Sequence, residues 1–127
     1  MFKNIFQGKK VLVTGHTGFK GSWLAMWLKL LGADTMGVAL DPPSQPSHFE
    51  VLELSEMLDD HRLDIRDGEP LKSLVSQMQP DFVFHLAAQA LVRQAYDDPV
   101  ATYQTNSMGT LNMLEALMTL KKKCTTV

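Results

Sequence analysis

Apolar residues along this chain fall into short continuous runs, separated by longer stretches with helical spacing. The first run, Val11-Leu12-Val13, predicts a strand over about residues 10–14, covered on both faces as in a parallel sheet. From about Gly18 to Leu31 the pattern changes: Phe19, Trp23, Leu24, Met26, Trp27, Leu28, Leu30 and Leu31 cover most of a helix circumference, and only Lys20, Ser22 and Lys29 are plainly polar. So apolar a helix is expected to be buried on more than one side, which puts the stripe of Phe19, Trp23 and Trp27 in the core. Gly32 suits the position just past the helix. A second strand follows at about 35–40 and stops at Asp41-Pro42-Pro43, because two prolines cannot continue a ladder.

Residues 49–58 read as one short helix with Val51, Leu52, Leu54 and Leu58 on its apolar side, and a short third strand is expected near 61–63. Asp67-Gly68-Glu69-Pro70 opens a helix that carries Leu71, Leu74, Val75 and Met78 at helical spacing and ends at Pro80. Asp81 to Ala88 is a fourth, nearly all-apolar strand, and residues 90–96 are irregular or a short helix. Asp98-Pro99 pairs an N-cap aspartate with proline at the first helical position. The helix it starts is expected to reach about Leu120, with Val100, Tyr103, Ser107, Leu111, Leu114 and Met118 on one stripe. Lys121, Lys122 and Lys123 then form its solvated, cation-favouring end, and Cys124 to Val127 begin a fifth strand. This alternation predicts an α/β fold: a Rossmann-like, doubly wound parallel sheet with right-handed crossovers, one domain over residues 1–127.

Composition narrows the function classes. Hydrophobic residues make up 45% and charged residues 20% of the 127, which is ordinary for a globular domain. A formal charge of −2 lacks the basic excess of a non-specific nucleic-acid binder. The single cysteine, Cys124, excludes an internal disulfide and fits a reducing, cytoplasmic compartment; it reads as a small buried hydrophobe. No apolar run is long enough for a signal peptide or a membrane span.

The candidate chemistry lies in the turn after the first strand. Gly15, Gly18 and Gly21 form G-x-x-G-x-x-G between a predicted strand and a predicted helix. Gly15 permits the tight turn, Gly18 lets backbone approach a pyrophosphate, and Gly21 lets the helix pack close to the strand. Asp41 lies twenty positions beyond Gly21, at the end of the next strand. A carboxylate there accepts bonds from the adenosine ribose hydroxyls and repels a 2′-phosphate, which favours NAD over NADP. A P-loop is excluded, since the order here is Lys20-Gly21-Ser22 with the lysine before the glycine. A methyl-transfer fold would space its glycines differently. The plain alternative is a tight turn with Asp41 as a strand terminator. His16 reads as a polar loop residue, His85 as a satisfied core histidine, and His48 and His61 as surface residues; none has metal-ligand company.

The chain resembles the extended short-chain dehydrogenase/reductase family and, within it, the nucleotide-sugar 4,6-dehydratases that act on CDP-glucose. Four segments carry the resemblance: Thr14 to Trp23, Val38 to Pro43, His85 to Arg93, and Thr105 to Ala116. It implies that Thr17, Phe19 and Lys20 offer backbone or side-chain donors to the pyrophosphate, with Gly15, Gly18 and Gly21 shaping the cradle. It implies that Asp41 holds the adenine ribose, that Asp64 and Ile65 flank the adenine, and that Leu86, Ala87, Ala88 and Gln89 line the nicotinamide ribose, with Asn106 in support. The implied reaction removes water across C5 and C6 of the glucose after transient oxidation at C4, and NAD takes the hydride and returns it at C6. The implied product is CDP-4-keto-6-deoxyglucose, a precursor of bacterial surface polysaccharide. The family's Tyr-x-x-x-Lys does not occur here: Val100 follows Tyr96 at that spacing, and Ser107 follows Tyr103. The resemblance therefore implies the first third of such an enzyme, inactive by itself, without its substrate domain. A stand-alone dinucleotide-binding module and a sugar-nucleotide epimerase remain open alternatives. Self-association is expected, through an uncovered sheet edge or through the 99–120 helix, which resembles a homodimer helix of the family.

Overall fold

A computed structural model describes residues 1–127. Five parallel strands form one sheet: β1 (Lys10–Thr14), β2 (Asp34–Ala39), β3 (Asp59–Arg62), β4 (Phe82–His85) and β5 (Thr125–Thr126), in the order β3-β2-β1-β4-β5. The helices are α1 (Phe19–Leu30), α2 (His48–Val51), α3 (Leu54–Met57), α4 (Gly68–Met78), α5 (Val92–Asp97), α6 (Pro99–Tyr103) and α7 (Gly109–Leu117), with a π-helical turn at Gln104–Met108 joining the last two. Side chains alternate across a strand, and β1 shows why both faces must be covered. Leu12 joins Val38, Val83, Leu71, Val75, Met113 and Ala116 under α4 and α7, whereas Val11 and Val13 join Leu28 and Ala33 under α1. The doubly wound sheet inferred from the alternation is therefore the observed fold.

Several elements differ from the sequence expectation. α1 buries a single stripe, Gly21, Ser22, Ala25 and Leu28, and its other side is open: Phe19 is 70% exposed, Trp23 54% and Trp27 45%. The aromatic stripe is thus not core. Only two side chains approach that side: Phe2 meets Trp27 edge-on at 5.5 Å, and His48 of α2 lies against Trp23 and Phe19. Residues 49–58 form two short helices, because Glu53 turns left-handed with φ +51°. The break turns Val51 outward and leaves Phe49, Leu54 and Leu58 packed with Ala25. Ser47 and Glu50 form a capping box that starts α2. The last helix ends at Leu117, so Lys121 to Lys123 sit in the link to β5. There Lys122 pairs with Asp81 at 2.6 Å, holding the aspartate below the usual carboxylate range. Asp81 also accepts from the Lys10 amide at 2.9 Å, which fastens the starts of β1 and β4 together. β4 is shorter than expected, and residues beyond His85 leave the ladder as a loop. Cys124 is half-buried, and burial pushes its thiol pKa up, as for an unactivated cysteine.

Candidate functional site

β1 lies between β2 and β4, where the direction of winding reverses; in open α/β sheets the crevice at that point receives ligands. The glycine turn leaves β1 there. Gly15 adopts φ +77°, and a Cβ on it would lie 2.8 Å from the Ala87 nitrogen, while one on Gly21 would overlap the Gly15 carbonyl oxygen. Only glycine fits either position. Gly18 is the N-cap of α1, and no side chain caps the helix. The first-turn amides of Phe19, Lys20 and Gly21 are thus left for an anion, and the helix dipole favours one. The uncapped amides at the start of α1, beside a turn that glycine keeps tight, are the donor set that suits a pyrophosphate. The Thr17 hydroxyl is not among the donors, because it donates to the Leu40 carbonyl at 2.9 Å. This leaves Thr17 only its backbone to present to the turn.

His16 is wholly buried rather than a polar loop residue. Its Nε2 lies 2.7 Å from Asp60 Oδ1, and its ring meets Phe49 edge-on at 5.4 Å. Burial lowers its pKa despite the neighbouring carboxylate, so the neutral ring donates to Asp60 and pins the turn to β3. Asp41 stands at the end of β2 with its side chain 90% exposed, 3.4 Å from Arg62 Nε. Arg62 also bonds Asp60 Oδ2 at 3.0 Å and the Leu40 carbonyl at 3.3 Å. The sequence reading missed Asp60 and Arg62. The available signal was their i, i+2 spacing, which puts opposite charges on one face at the end of a strand.

On the other side of β1, a hydrogen-bond relay shapes the loop after β4. Thr110 donates to the Asn106 carbonyl at 2.7 Å, so its oxygen accepts from His85 Nε2 at 3.2 Å. His85 Nδ1 then accepts from the Thr14 hydroxyl at 2.8 Å, and Thr14 Oγ1 accepts from the Ala87 amide at 3.1 Å. Burial lowers the His85 pKa, and the neutral ring this assignment requires follows. His85 is therefore the satisfied histidine expected. The Asn106 side chain closes the loop: Oδ1 accepts from the Gln89 amide at 2.7 Å and Nδ2 donates to the Gln89 carbonyl at 3.0 Å. Asn106 lies in the π-helical turn, a feature found often at functional sites. An open depression of about 340 Å³ adjoins it, lined in part by Gln89, Leu91, Val92, Tyr96 and Thr102.

The remaining expected residues divide. Leu86, Ala87 and Ala88 follow β4 beside the glycine turn, as the close approach of Ala87 to Gly15 shows. Asp64 is engaged by Arg66 at 2.6 Å, which lowers its pKa. Ile65 sends its side chain into the core cluster with Leu12 and Met113, and its carbonyl accepts from Asn112 at 2.9 Å. An adenine there would meet the edge of this loop, not the Ile65 side chain. His48 is not a plain surface residue: its Nδ1 lies 2.7 Å from Ser22 Oγ, and its ring stacks on Trp23 at 4.3 Å. His61 is partly exposed, with its Nε2 3.0 Å from an Asp59 carboxylate oxygen but making no hydrogen bond. No group of three or more potential metal ligands occurs, and no helix is long and apolar enough to cross a membrane.

Residues 12–127 match the family described as GDP-mannose 4,6 dehydratase. The chain belongs to that family. Among relatives of this dehydratase family, the chain is 52% identical over 115 residues to the CDP-glucose 4,6-dehydratase of Salmonella typhimurium, covering 91% of this chain and 32% of that protein. The epimerase Mth375 of Methanothermobacter thermautotrophicus has the same fold with a TM-score of 0.79 at 31% identity, over 93% of this chain and 34% of that one. The UDP-glucose 4-epimerase of Thermus thermophilus, solved in complex with NAD, superposes with a TM-score of 0.71 at 33% identity, over 84% of this chain and 33% of that one. The chain spans about a third of the length of these relatives. The resemblance to nucleotide-sugar dehydratases of the extended dehydrogenase/reductase family is borne out.

Proposed function

We propose that this chain forms the NAD-binding part of a nucleotide-sugar 4,6-dehydratase acting on CDP-glucose. The observation that carries the proposal is the uncapped start of α1 over a turn with no room for a Cβ, with Asp41 at the end of the neighbouring strand. The high identity to a CDP-glucose 4,6-dehydratase supports the choice of substrate within the family.

In this reading the amides of Phe19, Lys20 and Gly21 bind the pyrophosphate, and Gly15 and Gly18 keep the backbone close to it. Asp41 accepts from the adenosine ribose, and the loop at Asp64 and Ile65 borders the adenine. Leu86 to Gln89, clamped by Asn106, bound the side where the nicotinamide ribose lies. Bound there, NAD supplies a reversible hydride acceptor for the sugar. These residues hold and orient; the proton transfers of a dehydration need groups such as a Tyr-x-x-x-Lys pair, which these 127 residues do not contain.

Calorimetric titration with NAD tests this directly. Saturable binding is expected, together with its loss in Gly21→Ala, and with no turnover of CDP-glucose by the 127-residue chain. Absence of binding at millimolar NAD overturns the cofactor reading, and turnover by this chain alone overturns the division of labour.

A further inference from the structure

We infer that Arg62 is a second determinant of cofactor choice: a guanidinium already in place to receive a 2′-phosphate, kept from that role by Asp41. The inference rests on the reading that the adenosine ribose lies at Asp41. A carboxylate at this position selects NAD, and an arginine nearby accommodates the phosphate of NADP. This site holds both.

The position of Arg62 does not depend on Asp41. Its Nη2 donates to Asp60 Oδ2 at 3.0 Å, its Nη1 donates to the Leu40 carbonyl at 3.3 Å, and its guanidinium carbon lies 5.0 Å from the centre of the Phe49 ring. Two of those anchors are themselves fixed. Phe49 is 3% exposed, and Asp60, with a side chain 14% exposed, also takes the bond from His16 at 2.7 Å. The Asp41 carboxylate, in contrast, is 90% exposed and meets only Arg62 Nε, at 3.4 Å. It is a loosely held group beside a firmly held one. Its removal leaves the Nε edge of the guanidinium without a facing carboxylate and takes the local charge of Asp41, Asp60 and Arg62 from −1 to 0.

A four-cornered comparison of the chain, Asp41→Ala, Arg62→Gln and the double variant, titrated with NAD and with NADP, tests the inference. The unaltered chain is expected to prefer NAD. Asp41→Ala is expected to gain about tenfold or more in NADP affinity, the worth of one charge-assisted bond, and adding Arg62→Gln is expected to erase that gain. A gain that persists in the double variant overturns the role of Arg62, because relief of repulsion alone would then explain it. Circular dichroism establishes that each variant folds. If Arg62→Gln does not, Arg62→Lys takes its place: it keeps the charge but loses the planar fork, so a reduced gain supports the role and an undiminished one overturns it. NAD binding without any NADP gain in Asp41→Ala overturns this inference alone. A chain that binds neither dinucleotide in any form overturns the site reading with it.

Discussion

Two histidines, His16 and His85, sit on either side of the glycine turn, and burial keeps both below the ordinary imidazole pKa. In the unfolded chain each titrates near 6.5. Well above that value both states are neutral and the contribution to stability is complete. As pH falls from about 6.5 through the lowered folded values, the unfolded chain takes up protons first and stability is lost. Urea unfolding at pH 7.5, 6.5 and 5.5 is expected to show a midpoint that falls more steeply over the lower interval than over the upper. His85→Ala is expected to destabilise by about 1–3 kcal/mol at neutral pH, because the hydroxyls of Thr14 and Thr110 lose their partner, and to flatten the pH dependence. A midpoint independent of pH would refute the account. At this scale the sequence was legible where a residue's role is local. Gly15, Gly18, Gly21 and Asp41 carry their meaning in type and spacing. The role of His16 depends on Asp60, 44 positions away, and only the placement of β3 beside β2 brings the two into reach.

Strands with unbroken apolar runs were the most legible elements, because a sheet covered on both faces demands such runs, and β1 spans Lys10–Thr14, the range its run predicts. Helix α1 shows the limit of the same reasoning. Its apolar circumference identifies a helix but not which side the sheet takes, and small residues, Gly21, Ser22 and Ala25, form the buried stripe because they allow close approach. The π-helical turn left no mark in hydrophobic periodicity; its signal is Asn106 and the two backbone groups of Gln89 that it holds. Asn106→Ala removes both bonds and is expected to destabilise by about 1–3 kcal/mol. Hydrogen exchange measured by NMR is expected to quicken first at the Gln89 amide and its loop neighbours, with α4 unaffected. Unchanged exchange at Gln89 would show that the loop is held by other contacts.

At the scale of the molecule, the doubly wound parallel sheet was legible from the alternation of elements, whereas the exposure of the aromatic side of α1 was not. Val100, Tyr103, Leu111, Leu114 and Met118 are all at least 46% exposed along the final helical stretch, and β5 stands at an edge of the sheet with only two paired residues. Exposed apolar stripes and open edges favour association. Light scattering is expected to report species larger than a monomer at high concentration, and Leu114→Glu with Tyr103→Glu is expected to shift them toward the monomer. A clean monomer throughout would count against both surfaces. The turn at Gln104–Met108 carries a further consequence. A π turn takes one residue more than an α turn, which advances the following helix by about 100°. The rod therefore changes phase midway, so that Asn106 can face the loop after β4 while Met113 and Ala116 face the core. Residues in this segment are not interchangeable spacers: deleting one would restore a regular helix and rotate either the clamp or the core contacts out of alignment, although every side chain of both survived.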